Sequence, residues 1–206
     1  MSMSDLLALA ERIPNQSGPA VAQRIQLYAS TVPQGRAIVE LGVWMGYCTA
    51  HLALAAPAGV VVHGYDHFHA HADSRKKAAR AGIEFAAKED TLPKVRELLA
   101  PFGGIVLHKG GIKTARWPGP AIGLHVDDAC KRERQFMEAL RIFSPWWVAG
   151  ETIVVLMDFY YFEKKDIPGL RFQHDFVRRS GCFEEIWRAP AGTSAAAFVY
   201  RGGLRV

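Results

Sequence analysis

The sequence predicts an α/β fold, with a largely parallel sheet covered by helices on both faces and closed at one edge by an antiparallel hairpin. Three observations carry this expectation. Apolar runs of strand length alternate with helical stretches through the middle of the chain. One run, Ile38-Val39-Glu40-Leu41, ends in the glycines Gly42 and Gly46 and opens into an Ala/Leu-rich helical segment, as in sheets that bind nucleotides at a helix N-terminus. Two late runs flank the short turn Pro190-Ala191-Gly192, as a hairpin would.

Taken in order, Ser4 to Ile13 and Pro19 to Ser30 read as helices. Ser17-Gly18-Pro19 starts the second, and Thr31-Val32-Pro33-Gln34-Gly35 ends it with turn chemistry. Residues 1–35 are expected to pack on a single domain formed by residues 36–206, with a lid or a homodimer surface as their alternative role. Arg36 to Gly42 is the first strand and Tyr47 to Ala56 its helix; Val60 to Asp66 is the second strand, closed by an acid. The charged, Ala-rich stretch between Ala70 and Pro101 predicts two helices broken near Thr91-Leu92-Pro93. Gly104 to His108 forms a short third strand ending at Gly110-Gly111, and Ala121 to Val126 a fourth, stopping at Asp127-Asp128. Lys131 to Phe143 is a helix with Phe136, Leu140 and Phe143 on its apolar face. The fifth strand runs from Thr152 to Met157 and stops at Asp158. A helix near His174 to Arg179 precedes the closing pair, Phe183 to Arg188 and Ala195 to Tyr200.

A chain of 206 residues, 50% hydrophobic and 22% charged, can bury a sizeable core and is not disordered. Its net charge of +5 suits anionic ligands but is too mild to favour nucleic acid; Arg75-Lys76-Lys77 and Lys131-Arg132-Glu133-Arg134 read as solvated helix faces. Cys48, Cys130 and Cys182 lack C-x-x-C spacing and point to a reducing compartment. Met1 to Pro14 is interrupted by Asp5, Glu11 and Arg12, so it fails as a signal peptide, and no run approaches the ~18 apolar residues of a membrane span. The expected location is cytoplasmic, with no membrane partner.

Dinucleotide-binding sheets want G-x-G-x-x-G to seat a pyrophosphate, but Trp44 and Tyr47 stand where the second and third glycines would fall. The phosphate-gripping G-x-x-x-x-G-K-[ST] is absent too. Asp66, at the end of the second strand, is placed to accept hydrogen bonds from a ribose diol, and Glu40 could accept from a ligand ammonium. A ligand with a ribose, a positive charge and no phosphate is S-adenosylmethionine.

Glu40-Leu41-Gly42-Val43-Trp44-Met45-Gly46-Tyr47-Cys48-Thr49 resembles the first motif of class I S-adenosylmethionine-dependent methyltransferases, nearest the macrocin-type sugar O-methyltransferases. Leu124-His125-Val126-Asp127-Asp128 through Met157-Asp158-Phe159-Tyr160 is similar to that group's fourth strand, helix and fifth strand. The resemblance implies a three-layer Rossmann-like sandwich on a seven-stranded sheet of order 3-2-1-4-5-7-6 with an antiparallel last strand. It implies cofactor contacts among Glu40, Gly42, Trp44, Gly46, Thr49, Asp66 and Asp127, with the adenine near Gly110-Gly111. It also implies a divalent metal, Mg²⁺, held by acids after strands four and five. Asp127 and Asp158 keep two of those positions, whereas Ala129 and Phe159 lose two others.

Methyl transfer to a hydroxyl needs an in-line approach and a proton acceptor, for which Asp127, Asp128 and His125 are the candidates. His125 has a second reading, pointing into a helix layer. The cluster His63, His67, His69 and His71 reads as a loop rimming the cofactor rather than a metal site. Phe159-Tyr160-Tyr161-Phe162 reads as an aromatic acceptor wall or as packing, and Trp117 as structural rather than flanking the adenine. The function expected is methyl transfer to a hydroxyl of a small-molecule acceptor. The alternatives are a non-catalytic cofactor-binding protein and, further off, an RNA methyltransferase or a nicotinamide oxidoreductase.

Overall fold

The structure, a computed structural model, describes residues 1–165, 169 and 171–206. Its strands are β1 (Ala37–Leu41), β2 (Val61–Asp66), β3 (Ile105–Lys109), β4 (Ile122–Asp127), β5 (Ile153–Leu156), β6 (Phe183–Arg188) and β7 (Ala196–Tyr200). They form one sheet in the order β3-β2-β1-β4-β5-β7-β6, parallel from β3 to β5, with β7 antiparallel to both β5 and β6. This is the order expected from the resemblance, and the closing hairpin lies where Pro190 to Gly192 placed it.

The helices are α1 (Met3–Arg12), α2 (Pro19–Ser30), α3 (Tyr47–Ala55), α4 (Ala72–Arg80), α5 (Leu92–Leu99), α6 (Glu133–Phe143) and α7 (Phe172–Ser180). The break between α4 and α5 is wider than the sequence suggested, because Pro93 lies in the first turn of α5 and caps a start rather than interrupting a helix. Strand alternation divides the core. Val39 and Leu41 enter the layer formed with Phe136, Leu140 and Phe143 of α6, whereas Ile38 enters the layer formed with Val21 and Ile25 of α2 and Leu52 of α3.

The two N-terminal helices pack on this frame. Ala10, Ile13 and Ala22 are buried with Met45, Tyr47 and Ala50, and the Gln26 side chain bonds His51 at 2.8 Å. Ser2 and Asp5 form a capping box that fixes where α1 begins. Among the described residues, no helix is long and apolar enough to cross a membrane.

Candidate functional site

The carboxyl ends of the parallel strands share one edge, and the glycine turn lies at its centre. The Gly42 N–H donates to the Tyr65 carbonyl and the Asp128 N–H to the Leu41 carbonyl, both at 2.8 Å, so the turn is stitched to the ends of β2 and β4. Gly42 has φ 91°, and a Cβ there would lie 2.9 Å from the Asp128 carbonyl carbon. Its missing side chain thus lets one backbone approach another. Gly46, at φ 92°, caps α3 without a side-chain oxygen, which leaves the first-turn N–H groups of that helix open to the edge.

Asp66 organises the loops around that turn. Its carboxylate accepts the Trp44 N–H at 2.9 Å on Oδ2 and the Phe68 N–H at 2.8 Å on Oδ1. Trp44 (φ 47°) and Phe68 (φ 51°) are both non-glycine residues in left-handed backbone. One carboxylate therefore holds two strained loops and retains a lone pair on each oxygen.

Glu40 and Thr49 belong beneath the turn rather than beside a ligand. Both are buried, and the Thr49 hydroxyl donates to Glu40 Oε2 at 2.5 Å. Burial pushes the Glu40 carboxyl up to about 8; the Thr49 bond opposes the shift, and Asp128 and Asp66 add to it. Its place beneath the turn, bonded to Thr49, is where the structure puts the residue expected to accept from a ligand ammonium. The strand pleat explains the placement, since Glu40 follows Ile38 onto the α2–α3 face.

Beyond β3, the Gly110 N–H donates to the Asp66 carbonyl at 2.9 Å, which joins the expected adenine loop to the β2 end. A Cβ on Gly111 would meet the His67 ring at 2.8 Å. His67, Gly111, Ile112 and Arg134 line a cavity of about 240 Å³ there. The rest of the histidine cluster is dispersed. His63 Nδ1 contacts His108 Nε2 at 3.0 Å across β2 and β3, and burial lowers the His63 pKa to about 4, with His108 adding to the shift. Trp117 is buried against His63 and donates to the Pro120 carbonyl, so its role is structural.

On the other side of the glycine turn, an open cleft of about 470 Å³ is lined by Asp128, Lys131, Asp158 and Tyr161, with Gln16, Ser17 and Lys77 on its opposite wall. Lys131 Nζ donates to Asp128 Oδ1 at 2.6 Å and also to Asp158 Oδ2. Desolvation opposes the Lys131 charge, but Asp128 and Asp158 outweigh it and hold the ammonium protonated. Desolvation likewise pushes the Asp128 carboxyl up, with Lys131 pulling against it. Phe159 and Tyr160 are buried, so of the aromatic run only Tyr161 reaches the cleft.

Two expected catalytic residues lie elsewhere. Asp127 is buried; its Oδ1 accepts the Ala129 and Cys130 N–H groups at 2.9 Å, and its Oδ2 faces the α6 layer without a partner. His125 is buried on the same face, against Phe143 and Trp147. Burial takes its pKa down to about 3. The period of two puts both side chains under α6, whereas Asp128, one residue past the strand, turns into the cleft.

The expected metal set is corrected with them. Asp127 Oδ1 is held by backbone N–H groups, and the acids that an ammonium bridges are Asp128 and Asp158. Phe159, at a further ligand position, is fully buried against Phe198. Among the described residues, no three His, Cys, Asp or Glu side chains converge to hold an ion. These residues do not fit Mg²⁺. Lys131 was missed because a lysine in a basic helical run looks solvated. Its spacing three residues after Asp128, just past a strand end, was the available signal.

The sheet order, the antiparallel last strand and the glycine turn facing Asp66 define the class I S-adenosylmethionine-dependent methyltransferase fold. No protein-family model and no curated protein sequence matches the chain. Among solved structures it is similar to the O-methyltransferase TomG from Streptomyces achromogenes, involved in tomaymycin synthesis and bound to S-adenosylmethionine. That pair has 19% identity and a TM-score of 0.60, over 96% of this chain and 89% of the other. An O-methyltransferase from Bacillus cereus in complex with S-adenosylhomocysteine matches at 17% identity and TM-score 0.56, over 96% and 90% of the two chains. A Clostridium thermocellum protein put forward as an rRNA methylase matches at 16% identity and TM-score 0.58, over 91% and 99%. Identities this low establish the fold.

Proposed function

We propose that this chain is an S-adenosylmethionine-dependent methyltransferase that methylates a hydroxyl oxygen of a small molecule. The observation that carries the reading is one edge that joins the glycine turn and the Asp66 carboxylate to an open cleft lined by Asp128. The two free lone pairs of Asp66 suit a ribose diol, and the open N–H groups of α3 suit the cofactor's carboxylate. The sulfonium methyl would then face the cleft. There an acceptor oxygen attacks in line: the O–CH₃ bond forms as the S–CH₃ bond breaks, and S-adenosylhomocysteine leaves. The hydroxyl proton passes to Asp128, the carboxylate that lines the cleft.

Titration calorimetry with S-adenosylmethionine and S-adenosylhomocysteine tests the first half of this reading, and failure of both to bind saturably would reject it. Labelled-methyl transfer to a panel of hydroxylated metabolites tests the second half. Phe159, buried where the family resemblance implies an acid, favours one other reading, a cofactor-binding protein without transfer. Any transfer product in the panel excludes that reading. An RNA acceptor predicts binding that weakens steeply with salt.

A further inference from the structure

We propose that Lys131 is a built-in replacement for a divalent cation: its side chain occupies the interval between Asp128 and Asp158 and closes that position to Mg²⁺. Asp128 and Lys131 share the loop between β4 and α6, three residues apart, and Asp158 stands just beyond β5. Parallel pairing of β4 with β5 aligns the two strand ends, with Asp127 opposite Leu156, and so brings the two acids to one point on the edge. Because a single nitrogen bonds an oxygen of each, both carboxylates lie within reach of one bridging cation.

The arrangement faces solvent, with side-chain exposures of 36% for Asp128, 51% for Lys131 and 32% for Asp158. Ion pairs this exposed add little to folding, so the pairing shapes the cleft more than it holds the fold. The neighbouring carboxylate that could complete a metal shell is withdrawn, with Asp127 tied to backbone N–H groups under α6, and Phe159 offers no ligand atom. An ammonium has three donors, which two carboxylates and solvent satisfy, whereas Mg²⁺ demands a near-octahedral oxygen shell. The donor set present suits the first.

The test is a gain of binding. Calorimetric titration of the full chain with MnCl₂ and MgCl₂ should show no saturable binding at millimolar metal. Lys131→Ala, and independently Lys131→Gln in case the first variant folds poorly, should bind Mn²⁺ at least about tenfold more tightly than the parent chain. Adding Asp158→Asn to either variant should abolish the gain, and Lys131→Arg should behave as the parent. Submillimolar metal binding by the parent chain, or lysine-free variants no tighter than it, would overturn the proposal. The readout is cation binding alone, so its failure is distinguishable from a failure of the methyltransferase reading.

Discussion

At the ends of β1 and β2, position is set by backbone. Gly42 and Gly46 take left-handed conformations, Trp44 and Phe68 are held in strained ones, and the Asp66 carboxylate ties the loops together through two N–H groups. At the ends of β4 and β5, position is set by side-chain charge: Asp128, Lys131 and Asp158 meet across an open cleft through flexible, half-exposed groups. The first region tolerates few sequences because it admits few backbones. The second can change partners without disturbing the sheet, which suits a wall that must match an acceptor.

Gly42→Ala is the hardest test of that contrast. Its new methyl would strike the Asp128 backbone in a conformation alanine avoids, at an expected cost of about 2–5 kcal/mol. Thermal unfolding should fall by on the order of 10 °C, and calorimetry should detect no cofactor binding. A variant as stable as the parent chain would mean the turn is not pinned as described.

Next in size is the buried acid beneath the turn. The Glu40 carboxyl is raised in the fold to about 8 from 4.5, so the folded state keeps a proton that the unfolded chain releases. Its burial therefore costs nothing below about pH 4.5 and takes away stability as pH rises toward 8, by a few kcal/mol. Glu40→Gln should flatten this decline in pH-dependent denaturant melts. Parallel curves for the two proteins would show that Glu40 is ionised in the fold.

Asp66→Ala should weaken S-adenosylmethionine binding roughly 10- to 100-fold, because it removes the proposed ribose acceptor and releases both strained loops. Asp66→Asn should lose less, since its amide oxygen still accepts. Equal losses in calorimetry would separate the loops from the acid.

The smallest effect is expected at His125→Phe. Cofactor affinity should be unchanged, and any transfer rate should alter by less than about twofold, since the ring lies behind the sheet with an unpartnered Nδ1. The depressed His125 pKa lets the unfolded chain take up a proton first, so stability is lost as pH falls below about 6.5, and the variant should lose less of it. A large drop in transfer would return His125 to the reaction centre.

Much of the fold was legible because it rests on local patterns. Apolar runs ended at acids, glycines marked turns, and a Pro/Gly loop marked the hairpin. The glycine turn was legible for the same reason: a positive-φ turn demands glycine, and Asp66 stands one strand away. The cleft at the ends of β4 and β5 was legible only as a set of acids. Which of Asp127 and Asp128 faces the cleft depends on where the pleat ends, a matter of one residue. Lys131 could not be distinguished from other surface lysines, because a charge pair joining residues 27 apart in the chain leaves no periodic trace.

The sequence by itself determined the strand–turn–helix unit from Ile38 to Thr49 and the glycines that turn it. Backbone constraints are written in residue type, and only glycine relieves them. Tertiary structure alone decided that Glu40 lies buried under the turn, that Asp127 and His125 are sealed beneath α6, and that an ammonium joins Asp128 to Asp158. Burial and charge pairing arise between segments far apart in the chain, and only the folded sheet brings those segments together.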